Sequence, residues 1–150
     1  MAGKSLRMRE GKLPSRPGLL PASLLGAAAL SLWPGLAAAD DLNAFRTRHG
    51  RPPLAYSATL AAIAQQQASS MARRNRLDHK DFRERTRLVG SMAAENVSWG
   101  CDDQACAIRQ WSRSAGHRRN MLLTGVSHYG IASATAENGR RYWALELGGE

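Results

Sequence analysis

Between Ser57 and Arg74 the apolar residues Leu60, Ile63, Ala64, Ala68 and Met71 recur at three- to four-residue intervals. That spacing lines one face of an α-helix and is the strongest helical signal in the chain. Ser57 offers an N-cap hydroxyl, and Arg73, Arg74 and Arg76 complement the negative end of the helix dipole. A short opening helix is predicted from Asp40 to Arg48, with Leu42 and Phe45 on one face, stopped by Gly50 and Pro52-Pro53. After a charged stretch from Asp78 to Arg87 and Gly90, Ala94 to Trp99 reads as a strand. Asp102 and Asp103 can cap a helix carrying Ala105, Ile108 and Trp111, and Ala115 to Leu123 is helical again. Two extended runs close the pattern, Tyr129 to Ala136 and Arg140 to Leu147, joined through Asn138-Gly139. An Asn-Gly pair predicts a hairpin turn with positive φ at both positions. Apolar residues at successive positions of the last run predict a strand covered on both faces. Helices first and antiparallel strands last give an α+β domain.

Composition narrows this picture. With 150 residues, 43% of them hydrophobic and 22% charged, the chain is globular and long enough for one domain. Residues 1–17 carry five basic side chains against Glu10, Leu19 to Leu36 carry no charge, and Ala37-Ala38-Ala39 follow. Basic head, apolar middle and small-residue exit predict a secretory signal peptide over residues 1–39, leaving 40–150 as the mature domain. The rival reading is an uncleaved anchor, but Pro21 and Pro34 interrupt the run. Removing the leader lowers the formal charge from +9 to +5. Export implies oxidising conditions, in which Cys101 and Cys106 can pair; half a zinc site is the alternative, with no second cysteine pair to complete it.

No nucleotide loop, zinc-protease helix or serine elbow is present, which leaves His79, Glu95, His117, Ser112 and Ser114 as candidate chemistry. Taken singly, each of these has an ordinary structural explanation. Their order along the chain is more specific. The string "MARRNRLDH", then "AENVSWG", then "WSRSAGHRRN" with Trp111, Ser114, His117, Arg118 and Asn120, then "RYWALELG", resembles the bacterial branch of the CAP superfamily. This is the group of cysteine-rich secretory, antigen 5 and pathogenesis-related proteins, whose unit is also called the SCP domain. The resemblance runs from about Leu42 to Gly148.

It implies an α-β-α sandwich with a three-stranded antiparallel sheet between helical layers. It also implies a cleft in which His79 and His117 are the two histidines and Glu95 the first glutamate. The second glutamate of the family's animal and plant branches would fall three residues after Trp111, where this chain has Ser114. Two neutral imidazoles and one carboxylate could hold a divalent metal such as zinc, making His79, His117 and Glu95 the candidate ligands. Alternatively, Glu95 hydrogen-bonds an imidazole and fixes its tautomer. The expected function is an exported, secreted or periplasmic monomer whose cleft binds a small apolar or envelope-derived ligand. The alternative is a metal-assisted hydrolase of peptides or envelope polymers, and no catalytic residue is assigned beyond these three candidates. Asn120 is expected to bond backbone where a short helix meets the sheet. Trp99, Trp111, Tyr129 and Trp143 read as core or cleft wall. The arginines at 73, 74, 76, 83, 85, 87, 118, 119, 140 and 141 form a basic surface suited to an anionic partner and not, in an exported protein, to nucleic acid.

Overall fold

The computed structural model describes residues 42–90 and 92–149; the expected signal peptide lies outside the described residues. The helix α1 covers 42–48 and places Leu42 and Phe45 in the core. A two-residue strand β1 (Ala55–Tyr56) leads into α2 (Ala58–Arg74). The Ser57 side chain accepts a hydrogen bond from Leu60 N, and Asn75 ends the helix in the left-handed region at φ 47°. Then follow α3 (Phe82–Thr86), β2 (Ala93–Trp99), α4 (Gln104–Ser112), α5 (Ala115–Met121), β3 (His128–Thr135) and β4 (Arg141–Gly148). Asp103 caps α4 by accepting from Cys106 N at 2.7 Å.

The sheet has the order β1-β3-β4-β2. Three strands are antiparallel, as expected; the fourth, β1, was not foreseen and runs parallel to β3 with Ala55 beside His128. Its two residues are too few to show alternation, so the sequence carried no signal for it. The β3–β4 connection also differs from the expected two-residue turn. Gly139 has φ 80°, but Asn138 does not take a positive φ. Gly139 N donates to Ala136 O and Ala136 N to Arg140 O, the pattern of a three-residue loop with glycine in the left-handed position. The Asn138 side chain instead accepts from Arg140 N at 3.1 Å and donates to Asn75 Oδ1 at 3.0 Å.

Alternation along the strands splits the core in two. On one face Ala64, Ala68 and Met71 of α2 pack against Val97, Tyr142 and Ala144. On the other, Phe45, Ile108, Trp111 and Met121 from α1, α4 and α5 pack against Trp143, Leu145 and Leu147. Helices therefore cover both faces of β4, in the α-β-α arrangement. Trp111, Tyr129 and Trp143 are buried as expected, whereas Trp99 is 41% exposed with the Arg140 guanidinium 3.5 Å over its ring. Cys101 and Cys106 are joined in a disulfide, which closes the entry to α4.

Candidate functional site

β2 lies at the edge of the sheet, and its pleat sends successive side chains to opposite faces. Glu95 points to the α2 face and Asn96 to the α4–α5 face. The candidate site is built around that edge, one histidine arriving from each side.

His79 comes from the loop after α2. That loop is anchored by Gln67, a buried polar residue in the apolar stripe of α2, whose Nε2 donates to Asp78 O at 2.6 Å. Arg74 grips the Asp78 carboxylate through both terminal nitrogens at 2.6 and 2.9 Å, and its hydrogen bonds hold that carboxyl down at about 2. So fixed, His79 Nδ1 lies 2.7 Å from Glu95 Oε1, with the imidazole 53% exposed and the carboxylate 1% exposed. The other Glu95 oxygen accepts from Arg85 Nη2. Directly across the ladder Glu95 pairs with Glu146 of β4, which is fully buried, 3.9 Å from Arg85 Nη2.

Neither Glu146 nor Arg85 was among the residues expected at this site. Arg85, expected on the basic surface, is instead buried, its side chain only 7% exposed. It reaches inward because α3, a five-residue helix inside the charged stretch, turns it toward the two carboxyls. A helix so short leaves almost no periodic pattern to read. Glu146 had a faint signal, being the one acid in a strand whose two faces are both covered.

The electrostatics follow from burial. Glu146 accepts no hydrogen bond from any donor. Desolvation, and then the neighbouring Glu95 carboxylate, pushes it up to about 10, so it is a neutral acid at pH 7. For Glu95, burial works upward, but the hydrogen bond with His79, contact with protonated Glu146 and the Arg85 charge prevail, and it stays ionised. The Glu95 hydrogen bond raises His79 above 6.5. His117 is lowered below 6.5, by desolvation first and by the His79 charge second. The pair is therefore asymmetric: one imidazole favours its proton, the other gives it up.

His117 is positioned by a pair of asparagines. Asn96 Nδ2 donates to His117 O at 2.9 Å. Asn120 Nδ2 donates to Glu95 O at 3.2 Å and to Asn96 Oδ1 at 3.0 Å. Asn120 thus bonds backbone where α5 meets the sheet. His79 contacts Glu95 directly, and His117, with no hydrogen bond to Glu95, is near enough to feel the His79 charge.

Among the described residues no group of three or more His, Cys, Asp or Glu side chains is arranged to hold a metal ion. Both Glu95 oxygens are engaged, by His79 and Arg85, so the carboxylate orients an imidazole that stays half exposed. Ser112 gives its hydroxyl to Arg109 O at 2.8 Å and, like Ser114, has no hydrogen bond to a histidine. His49 is structural, its Nδ1 2.7 Å from Phe45 O.

The sequence model of the CAP group, described as the cysteine-rich secretory protein family, matches residues 39–147. The uncharacterized protein YkwD of Bacillus subtilis is 28% identical over 97 residues, covering 59% of this chain and 38% of YkwD. The chain spans well under half the length of the curated relatives it matches. Among solved structures, an outer surface protein of Borrelia burgdorferi superposes with a TM-score of 0.69 at 14% identity, covering 77% of this chain and 92% of that one. NaASP2 with Zn2+ superposes with a TM-score of 0.55 at 16% identity, covering 75% and 77%. At these identities the structural matches speak for the fold.

Proposed function

Since this chain belongs to the cysteine-rich secretory protein family, we propose that it is an exported binding module whose His79–His117 cleft captures a small envelope-derived ligand. The observation that carries this reading is the 2.7 Å contact between His79 Nδ1 and the buried Glu95 carboxylate. It orients a half-exposed, readily protonated imidazole as a hydrogen-bond donor toward solvent. His117, neutral near pH 7, presents an imidazole able to accept as well as donate. Such a pair suits a ligand with both an acidic or carbonyl oxygen and a polar hydrogen. A wholly apolar ligand would leave the outer nitrogen of the His79 imidazole without a hydrogen-bond partner. Export is supported by the leader pattern and the disulfide. Among the described residues no helix is long and apolar enough to cross a membrane.

A second reading, metal-assisted hydrolysis of peptides or envelope polymers, is favoured by the zinc in the NaASP2 structure. Here the ion would rest on His79 and His117, without Glu95, whose oxygens are taken. A soluble envelope hydrolysate titrated against wild type, His79→Ala and His117→Ala separates the readings, together with elemental analysis of the purified protein. The module predicts saturable binding without turnover, weakened roughly tenfold to a hundredfold in either variant, the worth of a hydrogen bond to a charged group. Turnover that needs a stoichiometric metal and vanishes in both variants would replace the module by the hydrolase. Binding unchanged in both would remove the cleft from either account.

A further inference from the structure

Helix α5 has a second working face. Ala115, Arg118, Arg119 and Leu122 follow at helical spacing and, with Arg51 and Leu123, line an open groove of about 480 Å3. His117 and Asn120 belong to the other side of the same helix and to the edge of β2. None of the three arginines lies within 4 Å of a described carboxylate, whereas Arg74, Arg76, Arg85 and Arg87 all do.

The walls of this groove are held from behind by Arg46, a 1% exposed arginine in the apolar stripe of α1. Its Nε donates to Pro52 O at 2.9 Å, fixing the loop that carries Arg51. Its Nη1 donates to Met121 O at 2.7 Å and Leu123 O at 3.2 Å, fixing the end of α5. Arg118 in turn lies over the Phe45 ring at 5.9 Å. Four guanidinium groups thus gather around one groove with an apolar floor, three of them open to solvent. Guanidinium groups with no carboxylate partner attract an anion, and several planar forks match the oxygens of phosphate.

We propose that Arg51, Arg118 and Arg119 form a binding site for a phosphate-bearing ligand, with Leu122 and Leu123 receiving the apolar part next to the phosphate. The site is independent of the histidine cleft. The protein as recovered from its producing host is mixed with phosphatidylcholine vesicles, with vesicles of equal parts phosphatidylcholine and phosphatidylglycerol, and with inorganic phosphate alone. Binding to the phosphatidylglycerol vesicles that phosphate does not displace identifies a lipid headgroup. Binding of phosphate that also displaces the vesicles identifies the free anion; either result supports the site. Arg51→Gln/Arg118→Gln/Arg119→Gln should lower the affinity on the order of 100-fold at low salt, from the loss of three cations near an anionic surface. Arg118→Lys/Arg119→Lys, which keeps the charge and guards against a folding defect, should retain much of the vesicle binding. The control Arg73→Gln/Arg83→Gln removes two charges elsewhere and should weaken binding only a few-fold. No binding by wild type to either probe, or equal losses per charge in the groove variant and the control, would overturn the proposal.

Discussion

Arg85→Met is expected to destabilise the folded domain by about 3–5 kcal/mol at pH 7, the loss typical of breaking a buried ion pair from one side. The methionine fills similar space but leaves Glu95, 1% exposed, facing neutral Glu146 with only a half-exposed histidine to balance it. Against a total stability of roughly 5–15 kcal/mol, that is a large share. Urea unfolding at several pH values tests the cause as well as the size. Glu95 is held below 4.5 in the folded state, so its contribution is present above that value and is lost as pH falls through the folded pKa. Arg85 supplies part of that contribution. The gap between wild type and variant should therefore be widest above pH 4.5 and narrow in acid. A loss below about 1 kcal/mol at pH 7, the scale of an exposed pair, would mean that Arg85 is not buried with the carboxyls.

Gly130→Ala should be at least as damaging as a severe core substitution, about 3 kcal/mol or more. A Cβ at Gly130 would stand 2.0 Å from Ala61 N and 2.2 Å from Leu60 C, both backbone atoms of α2. No side chain can swing aside, so the helix must lift away from β3. Gly130 also stands opposite Glu146 in the ladder, so the displacement reaches the site. Gly116→Ala is the matched control: it lies within α5 with nothing within 4 Å of the added carbon, and should be neutral or stabilising by a few tenths of a kcal/mol. Chemical denaturation of the two variants checks both; near-equal stabilities would contradict the close approach of α2 to the sheet.

The elements were legible where a long periodic pattern coincided with a cap. Helix α2 begins at Ala58 and ends at Arg74, as the Ser57 cap and the terminal arginines indicated. Strands β2, β3 and β4 lie within a residue or two of the expected runs. What the pattern could not convey was local competition or tertiary capture. Asn138 takes its turn through a side-chain bond to Arg140 N rather than through positive φ. Arg46 and Arg85 look like any solvated arginine in sequence, because nothing nearby in the chain announces the carbonyls and carboxylates that receive them. Gln67 is hidden likewise, a polar residue in an apolar stripe whose partner, Asp78 O, belongs to a loop eleven residues on. The histidines were found through ordered motifs, but the role of Glu95 needed geometry: only the placement of Arg85 shows that both its oxygens are spoken for.

The central claim is that His79 and His117 meet across the edge of β2, with Glu95 bound to one of them. Its most direct test is an NMR pH titration of both imidazoles in wild type and Glu95→Gln. In wild type His79 should titrate above 6.5 and His117 below it. The stabilisation from the His79–Glu95 pair is then complete between 4.5 and 6.5, is lost as pH rises through the folded His79 pKa, and is lost again in acid as Glu95 protonates. In Glu95→Gln the His79 midpoint should fall, while His117 moves the opposite way as its charged neighbour weakens. Two histidines that titrate alike near 6.5, and that Glu95→Gln leaves in place, would contradict the site.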